Sequence, residues 1–117
     1  MSDQAVIVAD REGVIRAWNS GAEALFGHDA ASAIGQTLDL IIPPEYREHH
    51  WRGFRAAMQG DNPAIDRASV NVPVLAHGAK SRLAVRLLVL RDAKQQVAGA
   101  LAIFVADDDP ASSLPRL

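Results

Sequence analysis

The chain has 117 residues, 49% hydrophobic and 22% charged, with a net charge of -2 and no cysteine. That length suits one compact domain; no apolar run approaches the roughly 18 residues of a membrane span, and no basic surplus exists to neutralise phosphates, which argues against membrane insertion and against nucleic acid as the main partner. Without sulfur from cysteine there is no disulfide framework, thiolate metal site, iron–sulfur cluster, cysteine nucleophile or photochemistry through a cysteine adduct, so ligation falls to His, Asp, Glu, Tyr or Met.

The start, MSDQAVIVAD, lacks the basic and apolar succession of an export signal, and a cytoplasmic location is expected. Ala5 to Val8 and Val14 to Trp18 are β-prone runs joined by Asp10-Arg11-Glu12-Gly13, which predicts a hairpin with glycine at the turn exit. Asn19 or Ser20 then caps a short helix through Phe26 that Gly27 ends. A further turn from Ala30 to Ile34 stops at Gly35, and Gln36 to Ile42 is an apolar segment terminated by Pro43-Pro44. Pro44 to Met58 reads as the longest helix, with Pro at its start, Glu45 in its first turn and Gly60 beyond its end. Three strands follow, Ala68 to Ala76, Arg82 to Leu90 and Val97 to Val105. Pro73 cannot donate to a ladder, so its strand belongs at a sheet edge or carries a bulge.

Two strands, a run of helices and three strands do not alternate as a parallel sheet requires, so the pattern predicts an α+β domain with a five-stranded antiparallel sheet. Leu83, Val85, Leu87 and Val89 form the apolar face of their strand towards the helices. The opposite face carries Leu88 among mixed residues and is a surface on which two copies could pair, giving a homodimer. The serines lack a nucleophile elbow, no phosphate-binding glycine loop is present, and Asp107-Asp108-Asp109 reads as a solvated tail, so no catalytic activity is expected. Residues 1–108 are assigned to the domain and 109–117 to a flexible tail, in which Pro110 and Pro115 discourage a coiled coil.

Val14-Ile15-Arg16-Ala17-Trp18-Asn19 leading into Ala22-Glu23-Ala24-Leu25-Phe26-Gly27, followed by Ile34-Gly35 and Ile42-Pro43, resembles the PAS sensor-domain family over nearly the whole chain. The resemblance implies the PAS fold, in which short helices and one longer helix close a ligand pocket against the sheet. PAS domains bind heme, flavin, other chromophores, metabolites or nothing, so the pocket must choose. Pro44-Glu45-Tyr46-Arg47-Glu48-His49-His50 resembles the heme-binding helix of the rhizobial oxygen-sensor kinases, and His50-Trp51-Arg52-Gly53 resembles a His-Trp-x-Gly sequence in the same helix of other bacterial PAS domains. Both registers place the iron ligand of heme b (iron protoporphyrin IX) on His50.

Tyr46, His50, Gly53, Phe54 and Ala57 fall on one helical stripe, which would turn His50 towards the pocket and leave room at Gly53 for a flat ring. Leu83, Val85, Leu87, Leu101 and Ile103 are the expected opposing walls; Arg52, Arg55 and Arg67 are the candidates for the heme propionates. His49 points about 100° away around the helix and is expected in solvent, as are His28 and His77. The resemblance puts Ser69, with Arg67 and Asn71 nearby, where the oxygen sensors carry a distal arginine, which leaves oxygen, carbon monoxide, nitric oxide and redox state open as the signal. The expected function is therefore a heme-binding module responding to a diatomic gas or to redox state, passing the signal to a partner protein. The alternative is a heme-free signalling or dimerisation module that binds a small apolar metabolite or no ligand, with His50 merely structural.

Overall fold

The computed structural model describes residues 4–60 and 69–105. Strands β1 (Ala5–Asp10) and β2 (Ile15–Trp18) form an antiparallel hairpin. Its turn is held by the Asp10 carboxylate, which accepts from the Glu12 and Val14 amides at 3.0 Å each. Helix α1 (Ser20–Phe26) starts where the Asn19 side chain accepts from the Ala22 amide at 2.9 Å and ends at Gly27 in the left-handed region, φ 87°. The side chain of Asp29 caps the single turn of α2 (Ala30–Ala33).

Two 3-10 turns, Leu38–Ile41 and Pro44–Tyr46, lead into α3 (Arg47–Met58). The long helix expected from Pro44 is therefore tighter over its first three residues, the form that helix starts often take beside proline. Strands β3 (Ser69–Ala76), β4 (Ala79–Arg91) and β5 (Val97–Val105) complete an antiparallel sheet of order β2-β1-β5-β4-β3. Strand β4 begins three residues before the expected Arg82, because His77 (φ 51°) and Gly78 (φ 76°) make a two-residue turn that pairs Ala76 with Ala79. Pro73 lies in β3, at an edge of the sheet, as its missing N–H demands. Among the described residues no helix is long and apolar enough to cross a membrane.

The core divides in two. The larger cluster joins Ile7, Ile15, Trp18, Phe26, Ile41, Val74, Val85 and Phe104, with Phe26 edge-on to Phe104 at 5.0 Å between ring centroids. The smaller one packs Phe54, Ala57 and Met58 of α3 onto Ala9 of β1 and Val97 of β5. His77 ties the β3–β4 turn to α1: its amide donates to the Phe26 carbonyl and its Nε2–H to the Ala24 carbonyl, both at 2.9 Å. It is solvent-exposed, as expected, and at the same time satisfies carbonyls at a helix end.

Trp51 fixes α3 against the first hairpin. Its ring lies over Gly13, where a Cβ would stand 2.2 Å from the indole Cζ3, and its Nε1–H donates to Asp39 Oδ1 at 2.7 Å. Gly13 also has φ 81°, so a side chain there meets both backbone strain and overlap. Gly13→Ala is expected to destabilise the fold by about 2 kcal/mol or more, measured by urea denaturation, whereas Gly78→Ala, with φ 76° but no neighbour within 4 Å of a Cβ, should cost less.

Candidate functional site

Helix α3 is packed onto the sheet through Phe54, Ala57 and Met58, and between it and the strands lies a cavity of about 450 Å³. Five groups of residues enclose it: Ile7 and Ala9 from β1; Leu38, Ile41 and Ile42 around the first 3-10 turn; Val72 and Val74 from β3; Val85, Leu87 and Val89 from β4; and Ala100, Ala102 and Phe104 from β5. The helical side contributes Tyr46, His49, His50, Arg52, Gly53, Phe54 and Ala57. The predicted stripe of Tyr46, His50, Gly53, Phe54 and Ala57 thus lines the cavity as a unit, even though Tyr46 belongs to the preceding 3-10 turn.

Several expected wall residues are elsewhere. Leu83, Leu101 and Ile103 do not line the cavity, nor does the exposed Arg55; along β5, Ala100, Ala102 and Phe104, alternating with Leu101 and Ile103, take those places. Asn71 is also absent from the wall. It is 2% exposed, accepts from Arg82 Nε, and alternates with Val70 and Val72 on β3. Arg52 reaches only the margin, where it pairs with Glu48 at 3.2 Å, the two side chains being 71% and 88% exposed. Arg67, Asp107 to Asp109 and the 109–117 tail lie outside the described residues. Ser69, in β3, is exposed and does not line the cavity.

His50 is the chemically distinctive wall residue. Its Nδ1 is buried without a hydrogen-bond partner, the one such side-chain atom among the described residues. The imidazole lies against Trp51, nearly edge-on with centroids 4.9 Å apart, and against Phe54 at 6.0 Å. Burial pushes its pKa down to about 4; the negative field of Asp39 opposes this and neighbouring His49 adds to it. At neutral pH the side chain is an uncharged imidazole, able to accept a hydrogen bond at one nitrogen and donate at the other, or to ligate a metal. His49, one residue earlier, is exposed, as expected, yet also lines the cavity. Among the described residues no group of three or more His, Cys, Asp or Glu is placed to hold a metal ion.

At Gly53, a Cβ would meet nothing within 4 Å, so its absence leaves open space on the cavity side of α3 rather than relieving a protein contact. On the other side of the site, Lys80 of β4 forms an ion pair with Glu45 beside Tyr46, a bridge between the start of the helical wall and the β3–β4 hairpin.

The His50 environment has a direct thermodynamic signature. In the unfolded chain the imidazole titrates near its usual 6.5, but in the fold near 4, so between these values the unfolded state binds the extra proton. Stability is accordingly greatest above pH 6.5 and falls as pH drops from 6.5 to 4, by roughly 3 kcal/mol from this residue. Urea titrations at a series of pH values should show this loss in the wild type and not in His50→Phe, with the difference between the two curves isolating the imidazole.

Comparison with known proteins gives a consistent assignment. An uncharacterized protein of Azorhizobium caulinodans is 40% identical over 75 residues, which cover 63% of this chain and 10% of that protein. The chain therefore spans about a tenth of that relative. A PAS domain from Colwellia psychrerythraea superposes with a TM-score of 0.74 at 24% identity, covering 87% of this chain and 84% of that one. The PAS domain of the Cronobacter turicensis RpfR quorum-sensing receptor, in complexes with BDSF and with C12:0, gives TM-scores of 0.63 and 0.65 at 16% identity, covering 89% of this chain and 92% of the other. At these identities the structural likenesses establish the fold. The family model described as PAS fold matches residues 1–106, and with the five-stranded antiparallel sheet and its flanking helices this places the chain in the PAS family.

Proposed function

We propose that this PAS domain is a sensor module that holds a small, mostly aliphatic molecule in the cavity between α3 and the sheet. The observation that carries this reading is the cavity itself: about 450 Å³, lined mainly by aliphatic side chains with Phe54 and Phe104, and, among the described residues, with Tyr46, His49, His50 and Arg52 as its polar side chains. Ligand sites have this character, an apolar body with few polar groups that fix orientation, and volumes of roughly 300–1,000 Å³. The RpfR domain, of the same fold, is known in complex with BDSF and C12:0, which supports an aliphatic occupant. The signal would pass to a partner protein or to a second copy of the chain.

A second reading, a heme-linked sensor of a diatomic gas or of redox state, is favoured by His50 together with Gly53. A neutral imidazole in a cavity wall is the form that binds iron, and Gly53 beside it leaves space for a planar ring. The residues fit heme b at that ligand and less well elsewhere: Val72, Val85 and Leu87 in the cavity wall carry no hydrogen-bonding side-chain group for a bound gas, and Arg52 is exposed and paired.

Native mass spectrometry of the purified protein separates the two. A bound organic molecule without iron is expected on the first reading; an iron porphyrin mass, together with a Soret band that His50→Ala removes and His49→Ala retains, would replace it with the second. Gly53 supplies an independent check. Gly53→Ala should stabilise α3 by about 1 kcal/mol, since its Cβ enters open space. Gly53→Leu should keep the circular dichroism spectrum and weaken uptake of a hydrophobic probe such as 1-decanol at least tenfold, and unchanged uptake would refute occupancy of this cavity.

A further inference from the structure

We infer that Gly53 sets the size limit of the molecule the cavity accepts: the chamber holds an aliphatic chain of about twelve carbons, and each carbon added at position 53 lowers that limit by about one. This rests on the function proposed above and deepens it, from an aliphatic occupant to one of defined size.

Nothing in the fold requires glycine at this position. Gly53 lies inside α3 without the positive φ of Gly13 or Gly60, and a Cβ there would meet no atom within 4 Å. Glycine is a poor helix former, so α3 is weakened here with no backbone or packing gain in return. What a side chain would enter is the chamber. The residues three and four positions away on either side, His49, His50, Ala56 and Ala57, all line it, which puts position 53 at the centre of the helical wall. Among the small wall residues, Ala9 and Ala57 belong to the smaller core cluster with Ala100 packed against it, and Ala102 packs against the larger one. Gly53 belongs to neither cluster, so a change of size at this residue is taken up by the chamber.

The volume fixes the scale. A water molecule takes roughly 30 Å³ in the liquid and a methylene much the same, so a cavity of about 450 Å³ corresponds to about 15 non-hydrogen atoms at complete filling. A flexible chain packs less closely than a protein interior and leaves corners empty, which lowers the figure to about twelve carbons and a polar head. Each methylene moved from water onto the aliphatic wall strengthens binding roughly fourfold until the chamber is full. Beyond that point a further methylene stays in water or displaces wall atoms, and the gain stops.

The test measures the affinity of the full chain for every 1-alkanol from hexanol to tetradecanol, in the wild type and in Gly53→Ala, Gly53→Val and Gly53→Leu. Each alcohol is kept below its solubility limit, equilibrated by dialysis against excess protein and quantified by gas chromatography; circular dichroism checks the fold of each variant. Gly53→Ala, the better helix former, keeps the test decisive where a larger side chain disturbs the fold. The expected result is affinity that rises roughly fourfold per methylene and levels off near dodecanol in the wild type. The break should move about one, three and four carbons earlier in the Ala, Val and Leu variants, while hexanol and heptanol bind all four proteins alike. A break at the same chain length in all four, or a gain that continues to tetradecanol in the wild type, would overturn the inference while leaving an aliphatic occupant. An equal loss at every chain length would also overturn it, because Gly53 would then shape the entrance or the fold and not the capacity. Uptake of none of the alcohols by the wild type would refute the proposed function and this inference together.

Discussion

The contact of the Trp51 ring with Gly13, made possible by a residue without a side chain at a positive φ, governs how α3 sits in this domain. The same indole donates to Asp39, so one residue of α3 is joined to the first hairpin and to the first 3-10 turn together. Phe54, edge-on to Trp51 at 5.4 Å, continues that attachment into the smaller core cluster with Ala57 and Met58. The helix is thus fastened along one side, towards β1 and β5. Its other side faces β3 and β4 across the cavity, and the two core clusters remain separate instead of merging under it.

That attachment determines the chemistry of His50. Neighbouring Trp51 directs one side of the helix into the protein, and His50 follows into a setting of aromatic rings and aliphatic wall where its charged form is disfavoured. A buried polar atom without a partner is uncommon and destabilising unless something offsets it. The neutral ring can take part in a hydrogen bond or ligate a metal, which is why the same residue bears on both readings of the cavity. The difference between them rests on the surrounding wall, which is aliphatic on β3 and β4 and whose one Lys or Arg among the described residues, Arg52, is exposed and paired with Glu48.

Much of this was legible in the sequence because it is local. Capping by Asn19, termination at Gly27, the stop at Pro43-Pro44 and the edge position of Pro73 all follow from the chemistry of single residues, and the stripe from Tyr46 to Ala57 follows from helical spacing. The phase of β5 was not legible from periodicity. Its large residues Leu101 and Ile103 and its smaller Ala100 and Ala102 are all apolar, so alternation carries no sign of which set faces in; only Phe104, in step with the alanines, offers one. For β3 a signal existed: Val70, Val72 and Val74 share a parity that excludes Asn71, and that alternation is a better guide than distance along the chain from a resembling motif. The role of His77 at the end of α1 depends on a contact 53 residues away in sequence, beyond any local pattern.

The division of the core bears on how such a domain can change over evolutionary time. Trp18, Phe26 and Ile15 on one side and Val97 on the other are packed within their own clusters away from the chamber, whereas Ile7, Val85 and Phe104 of the larger cluster and Phe54, Ala57 and Met58 of the smaller one also form its wall. Exchanging Phe54 or Phe104 would alter the chamber and a core cluster at once, whereas at Gly53, where a Cβ meets nothing within 4 Å, a side chain changes the chamber alone. The wall of the chamber and the core are therefore encoded in good part by the same residues, and the chamber can be reshaped at little cost to the fold only where a wall residue lies outside both buried clusters.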